Sequence, residues 1–196
     1  LKPGRGTSRL TQHLLASEGP AAVVDAGALD ALSRVPRWWT RLGRPLIVTP
    51  HPGEMARLGR SHGAADEERR AAAEAAAAEW GVTVVLKGAD TVVADPDGRC
   101  LTAPFEVPAL ATAGSGDVLA GVIASLVGQG LTPFDAAALG VYLHARAGRD
   151  VGARMGAAGL LATDLLSAIP RERDYLEHER WQAGRVGFDA PIDEAT

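Results

Sequence analysis

The sequence predicts an α/β fold, with a mostly parallel central sheet and helices on both faces, and three observations carry that prediction. Short, continuous apolar runs alternate with longer helical stretches, as strands buried on both faces alternate with the helices that cover them. The apolar runs end in Asp25, His51 and Lys87-Gly88, and in such sheets ligands bind beyond the carboxyl ends of the strands. The 196 residues show neither an internal repeat nor a linker. One domain over residues 1–170 is therefore expected, followed by a charged surface arm at 171–196.

In chain order, Pro3-Gly4-Arg5-Gly6-Thr7 is a glycine-rich turn before a helical stretch around Leu10–Leu15. Ala21–Asp25 (AAVVD) reads as a buried strand closed by a carboxylate. Pro45–Thr49 (PLIVT) reads as a second, followed by the rigid turn Pro50-His51-Pro52-Gly53. Asp66–Trp80 is an alanine-rich helix with Glu67, Glu68 and Arg69 in its first turns and Gly81 as its stop. Val82–Leu86 is the third strand, closed by Lys87-Gly88. A β-meander follows: Thr91–Ala94, a type I turn at Asp95-Pro96-Asp97-Gly98, and a returning strand at Arg99–Thr102. Gly116–Gln129 is an apolar helix ended by Gly130. Thr132-Pro133 starts another that runs to about Arg146, with a capping residue and a first-turn proline. Ala162–Ala168 is a shorter one.

Composition narrows the partners. The chain is 46% hydrophobic and 22% charged, with a net charge of −4 and a pI near 5.7, so it offers no basic footprint for nucleic acid. No apolar run approaches the roughly 20 residues of a membrane span. A single cysteine, Cys100, forms no intrachain disulfide, which points to a reducing, cytoplasmic compartment. No secretory signal is readable in Leu1–Leu10, and a start on leucine in mid-motif suggests a fragment. Of the 20 basic residues only Lys2 and Lys87 are lysines, so Lys87 stands out as a compact ammonium retained where arginine is the rule.

Three segments carry the chemistry. In Ala111–Gly121 (ATAGSGDVLAG) small residues and glycines lead into an apolar helix, so backbone N–H groups at its start can face an anion unobstructed. Asp117, in the first turn, either complements the helix dipole or handles a metal or a proton beside that anion. In Thr49–Glu54 (TPHPGE) two prolines hold His51 at a strand end, and Glu54 is read as a cap for the helix that follows. In Lys87–Thr91 (KGADT) a lysine followed by glycine can meet a phosphate as a point charge, or be a solvated hairpin lysine. Asp25 can equally be a buried helix cap, and His144 reads as a solvated or core-edge residue. Zinc-ligand spacing, a GxSxG elbow, a Walker A sequence and a post-strand GxGxxG are all absent.

Taken in order, these segments resemble the ribokinase-like superfamily and, within it, the NAD(P)H-hydrate dehydratases. The matching residues are PGRG at Pro3–Gly6, VVDAGAL at Val23–Leu29, TPHPGE, KGADTVVADPDGR at Lys87–Arg99, AGSGDVLAGVIASL at Ala113–Leu126, DAAALGVYLH at Asp135–His144 and GLLATDLL at Gly159–Leu166. GSGD is common to many kinases of the superfamily, whereas TPHPGE is much more specific. The resemblance implies a three-layer sandwich and a repair reaction. The S form of hydrated NADH or NADPH is phosphorylated on its ring hydroxyl by ADP or ATP with Mg2+, and phosphate is then eliminated. Carried over by position, Lys87, Gly88, Ala89, Asp90, Thr91, Gly114, Ser115 and Gly116 contact the nucleotide. Gly4, His51 and Asp117 contact the hydrate, and Asp117 is the catalytic base. No dedicated metal ligands are visible. The resemblance further implies a homo-oligomer, a tetramer in the family, and an NAD(P)H-hydrate epimerase as a fused domain or partner.

Three positions depart from the family pattern. The GPGLG-type turn reads KPGRG, DADAL reads DAGAL with Gly27 in place of the second acid, and further strands and helices are expected before the glycine turn. Two alternatives stay open from the residues: a ribokinase-like kinase of a vitamin precursor or sugar, and a truncated, non-catalytic nucleotide-binding protein.

Overall fold

A computed structural model describes residues 5–60, 65–103 and 105–183. Five strands form one sheet in the order β1 (Ala22–Val24), β2 (Leu46–Val48), β3 (Thr83–Leu86), β4 (Thr91–Ala94) and β5 (Cys100–Ala103). β1, β2 and β3 run parallel, and β4 and β5 extend the sheet as an antiparallel meander on the far side of β3. The parallel strands follow from their crossovers. Helix α1 (Arg5–Ala16) precedes β1, α2 (Gly27–Ser33) separates β1 from β2, and α3 (Pro52–Arg57) with α4 (Asp66–Trp80) separates β2 from β3. β4 and β5 need only a turn, in which the Asp95 carboxylate accepts from the N–H groups of Asp97 and Arg99 at 3.0 and 2.9 Å.

The sheet divides the core in two by the period of its strands. Leu46, Val48, Val84, Leu86, Val92 and Ala94 face one layer, where Leu29, Leu32, Met55, Ala73, Ala77 and a Trp38–Trp80 contact (centroids 5.3 Å) close the packing. Ile47, Val85 and Val93, the alternate residues, face α5 (Ser115–Gly128) and α6 (Pro133–Met155) through Leu119, Ile123, Phe134 and Val141. The fold is thus the expected three-layer sandwich.

Two helices outrun their sequence readings. α6 continues nine residues past Arg146 because Ala147 and Val151 keep the apolar stripe going, buried against Leu160, Leu165 and Ala168. The last helix, α7 (Ala162–Ala183), passes through Pro170 and continues into what reads as a charged arm. Its extension is anchored on α6, where Arg146 Nε donates to Glu172 Oε2 at 2.9 Å, and on the end of α5, where Arg173 Nη1 donates to Gln129 Oε1 at 2.9 Å.

α5 and α6 meet at Gly140, where an added Cβ would stand 2.6 Å from Ile123 Cγ1. Ile123 is fully buried and stiff at χ1, so it cannot yield cheaply. Gly140→Val therefore destabilises by about 1–3 kcal/mol despite its better helix propensity, a melting temperature lower by about 2–12 °C. Thermal melting checks it, and an unchanged Tm would show slack in this contact.

Candidate active site

The three parallel strands deliver their chemistry to one end of the sheet. Backbone pairing continues past the strand ends: Thr49 N–H donates to Val24 O at 3.1 Å and Lys87 N–H to Pro50 O at 2.9 Å. The residues after β1, β2 and β3 are therefore fixed relative to one another. Lys87 Nζ donates to Asp25 Oδ1 at 2.7 Å and lies 3.9 Å from Glu54 Oε2. All three side chains are largely buried, at 21%, 11% and 7% exposed, so this cluster joins one ammonium to two carboxylates in a poorly solvated place.

His51 and Glu54 share the start of α3. His51 Nδ1 accepts from the Gly53 N–H at 3.0 Å, and Glu54 Oε2 accepts from the His51 N–H at 2.9 Å. The two form a reciprocal cap with Pro52 at the first helical position, as expected for Glu54, and His51 is its other half. Accepting at Nδ1 leaves the ring proton on Nε2, 3.5 Å from Glu54 Oε2.

The loop after β3 is braced by a residue that sequence reasoning did not single out for the site. Arg69 of α4 donates through Nη2 to the carbonyls of Lys87 and Asp90, each at 3.3 Å. Its guanidinium fills the space that a Cβ on Gly88 would take. Inside the loop, the Thr91 hydroxyl donates to Gly88 O at 3.1 Å and accepts from Gly88 N–H at 3.3 Å.

Opposite this loop stands the N-terminus of α5. Gly114 takes a positive φ of +89° as the residue before the helix, a conformation open to glycine. The first i→i−4 bond runs from Val118 N–H to Gly114 O at 3.2 Å. Among the described residues the preceding N–H groups of Gly116 and Asp117 have no backbone acceptor outside the helix, the usual condition of a first turn. A Cβ at Gly116 would lie 3.3 Å from Lys87 Nζ, a tight contact, and 3.7 Å from Asp25 Oδ2, an ordinary one, so the turn approaches the cation closely. Ser115 is held on both sides: its hydroxyl donates to Leu110 O at 2.7 Å, and its carbonyl meets His144 Nε2 at 2.9 Å.

Between these elements lies a cavity of about 590 Å³, within the range of small-molecule sites. His51, Lys87, Gly88, Ala89, Thr91, Ser115 and Gly116 line its polar end, and Phe105, Val107, Leu110 and Val141 form apolar walls. Three of the expected residues stand outside the lining. Gly114 sets the turn, and the Asp90 carbonyl is held by Arg69. Asp117 is exposed one residue beyond Gly116, its carboxylate without a hydrogen bond or ion pair among the described residues. Gly4 lies outside the described residues. Cys100 offers no nucleophile, since burial pushes its thiol up to about 12.

His144 is where sequence and structure differ most. It is buried on α6 and lines the cavity rather than standing at a core edge. The available signal was spacing: Gly140, His144, Gly148 and Gly152 recur every four residues, one face of a helix. Burial pushes its pKa down to about 4; the nearby Lys87 ammonium acts in the same direction, and the bond to Ser115 opposes both. An unfolded histidine titrates near 6.5, so between pH about 6.5 and about 4 the unfolded chain binds the extra proton. Its stabilising share is complete above that window and is lost as pH falls through it, up to about 3 kcal/mol. Melting curves across this range should fall more steeply for the native chain than for His144→Gln; parallel profiles would refute the assignment.

The layered α/β sandwich, with its parallel strand ends facing a glycine-started helix, is similar to solved ribokinase-like proteins. A ribokinase-like superfamily protein from Enterococcus faecalis matches with a TM-score of 0.74 at 28% identity, over 89% of this chain and 61% of that one. The profile of the NAD(P)H-hydrate dehydratases matches residues 2–171, and the chain belongs to that family. It is 47% identical over 183 residues to a bifunctional NAD(P)H-hydrate repair enzyme, Nnr, of Moorella thermoacetica, covering 90% of this chain and 34% of the relative. It is 39% identical over 178 residues to an ADP-dependent (S)-NAD(P)H-hydrate dehydratase of Xanthomonas campestris, 87% of this chain and 57% of the relative. The ADP/ATP-dependent NAD(P)H-hydrate dehydratase of Bacillus subtilis, co-crystallised with ATP/Mg2+, matches with a TM-score of 0.77 at 32% identity, over 89% and 61% of the two chains. The chain thus spans between about a third and three fifths of the length of these relatives.

Proposed function

We propose that this chain carries the ADP- or ATP-dependent dehydration of (S)-hydrated NADH or NADPH, returning the intact cofactor. The observation that carries the reading is the approach of Gly116 to Lys87 in the lining of the cavity, within a chain that belongs to the hydrate dehydratase family. A phosphate there receives the ammonium as a point charge and the first-turn N–H groups of α5 as fixed dipoles. Lys87–Thr91 and Gly114–Gly116 hold the nucleotide. His51, Gly4 and Asp117 hold the hydrate.

The ring hydroxyl attacks the terminal phosphorus of the nucleotide and gives its proton to Asp117, and the shortened nucleotide leaves. The C–O bond of the resulting phosphate ester then breaks, inorganic phosphate leaves with the bonding electrons, and the neighbouring ring carbon gives its proton to solvent, which restores the ring double bond. A divalent ion fits this site as one carried on the nucleotide. No cluster of three or more His, Cys, Asp or Glu suited to a metal occurs among the described residues, and Mg2+ is commonly held by phosphates and water with few protein ligands. When bound it supplies charge neutralisation on the phosphates.

The names of the bifunctional relatives support an epimerase as a fused domain or partner. A homo-oligomer belongs to the same reading, and the lone, half-buried Cys100 supports a cytoplasmic setting. Among the described residues no helix is long and apolar enough to cross a membrane.

Incubating residues 1–196 with hydrated NADH, Mg2+ and either ADP or ATP tests the reading through the return of dihydronicotinamide absorbance. Nucleotide consumption with another small alcohol and no return of NADH would instead mark a kinase. Nucleotide binding without turnover would mark a non-catalytic binder.

A further inference from the structure

We infer that His144 is a positioning residue: by donating Nε2–H to the Ser115 carbonyl it sets the first turn of α5, and so the N–H groups of Gly116 and Asp117, against the nucleotide's phosphates. The inference rests on the proposed reading of that turn as the phosphate seat.

A carbonyl accepts, so the ring nitrogen at 2.9 Å must carry the hydrogen, whatever the charge on the ring. Ser115 is the first residue of α5, and an α-helix needs no second donor on that carbonyl in order to form. The added bond therefore fixes where the turn sits rather than whether it is helical. The same residue is tied on its other side, where the Ser115 hydroxyl donates to Leu110 O.

Leu110 is seated by α6 as well. A Cβ on Gly148 would stand 2.6 Å from the Leu110 side chain, and one on Gly152 would stand 3.0 Å from Ala109 Cβ. Gly140, His144, Gly148 and Gly152 are four apart, so one face of α6 supports the body of α5, its first turn and the 3₁₀ turn Pro108–Leu110 in succession. The glycines act by permitting close approach, and His144 acts by a directed bond. Ser115, Leu110 and His144 all line the cavity, so an error in this support is felt where the ligand sits.

The test compares His144→Leu, which removes the donor, with His144→Gln, which keeps one. Mg2+-ATP affinity is measured by calorimetry on residues 1–196, beside melting temperature and turnover of hydrated NADH. The leucine variant is expected to bind about fivefold more weakly and turn over about tenfold more slowly. Glutamine should restore affinity to within about threefold of the native chain, even where both variants melt at similar temperatures. If the leucine variant does not fold, His144→Asn, polar but too short to reach Ser115, takes its place. Native-like affinity in the donor-less variant, or equal losses in both variants in step with Tm, would overturn the inference. Mg2+-ATP binding without turnover by the native chain would sink the dehydratase reading and leave the affinities to decide this one. No Mg2+-ATP binding by the native chain overturns both.

Discussion

Asp117→Asn lowers turnover of hydrated NADH at least about a hundredfold while nucleotide affinity is kept. On the proposed reading the attacking hydroxyl is a poor nucleophile until its proton has a destination, and Asp117 is the carboxylate in the first turn of α5. Its side chain is exposed and has no hydrogen bond or ion pair among the described residues, so it supports neither Lys87 nor the cap of α3. What the fold gains from it is the dipole complement at a helix start, about 0.3–1 kcal/mol, and its loss lowers Tm by no more than about 4 °C. Removal of a general base costs about 10²–10⁴-fold in rate, so the two roles separate cleanly. Near-normal turnover with a lowered Tm would show Asp117 to be a dipole complement and nothing more. The result is read as turnover relative to the native chain under one set of conditions, with affinity from calorimetry as the control.

The parts of this site that could be read from the sequence are those governed by local rules. Strand ends are visible because a buried parallel strand is a short apolar run, and the first polar residue after it stands at the sheet's carboxyl edge. Asp25, His51 and Lys87 were found in that way. The start of α5 is visible because Gly114 and Gly116 stand at the head of a long apolar run. The pairing of those places was not visible. Lys87 and Asp25 are 62 residues apart and meet because β1 and β3 flank β2 in a parallel sheet, an arrangement no local period encodes. Ser115 and His144, 29 apart, meet through the packing of α5 on α6. Arg69 occupies the space over Gly88 from the first turns of α4, a place where an arginine otherwise reads as solvated. The ends of α6 and α7 are hidden for a related reason: Gly148 and Gly152 lower the propensity of α6, where burial of Ala147 and Val151 offsets it, and α7 passes Pro170 onto the polar anchors of Glu172 on Arg146 and Arg173 on Gln129.

Lys87→Ala weakens nucleotide binding by about 1.5–3 kcal/mol, the scale of a charge-assisted hydrogen bond. The structure adds a second consequence. Without the ammonium, Asp25 and Glu54 remain as two largely buried carboxylates beside the proposed phosphate seat. Part of the loss is then repulsion uncovered by the substitution, and Tm falls as well, because Asp25 loses its counter-ion. The double variant Asp25→Asn/Lys87→Ala separates the contributions. It should recover most of the lost melting temperature, since an amide tolerates the site without a cation. It should recover only the repulsive share of the affinity, since no positive charge returns to meet the phosphate. Lys87→Arg adds a control for shape: the charge is kept, but a planar fork replaces a compact ammonium that now stands 2.7 Å from Asp25 and close against Gly116. Full recovery of affinity in the double variant would mean that Lys87 only neutralises its neighbours. Incomplete recovery, with stability restored, places the ammonium on the phosphate itself.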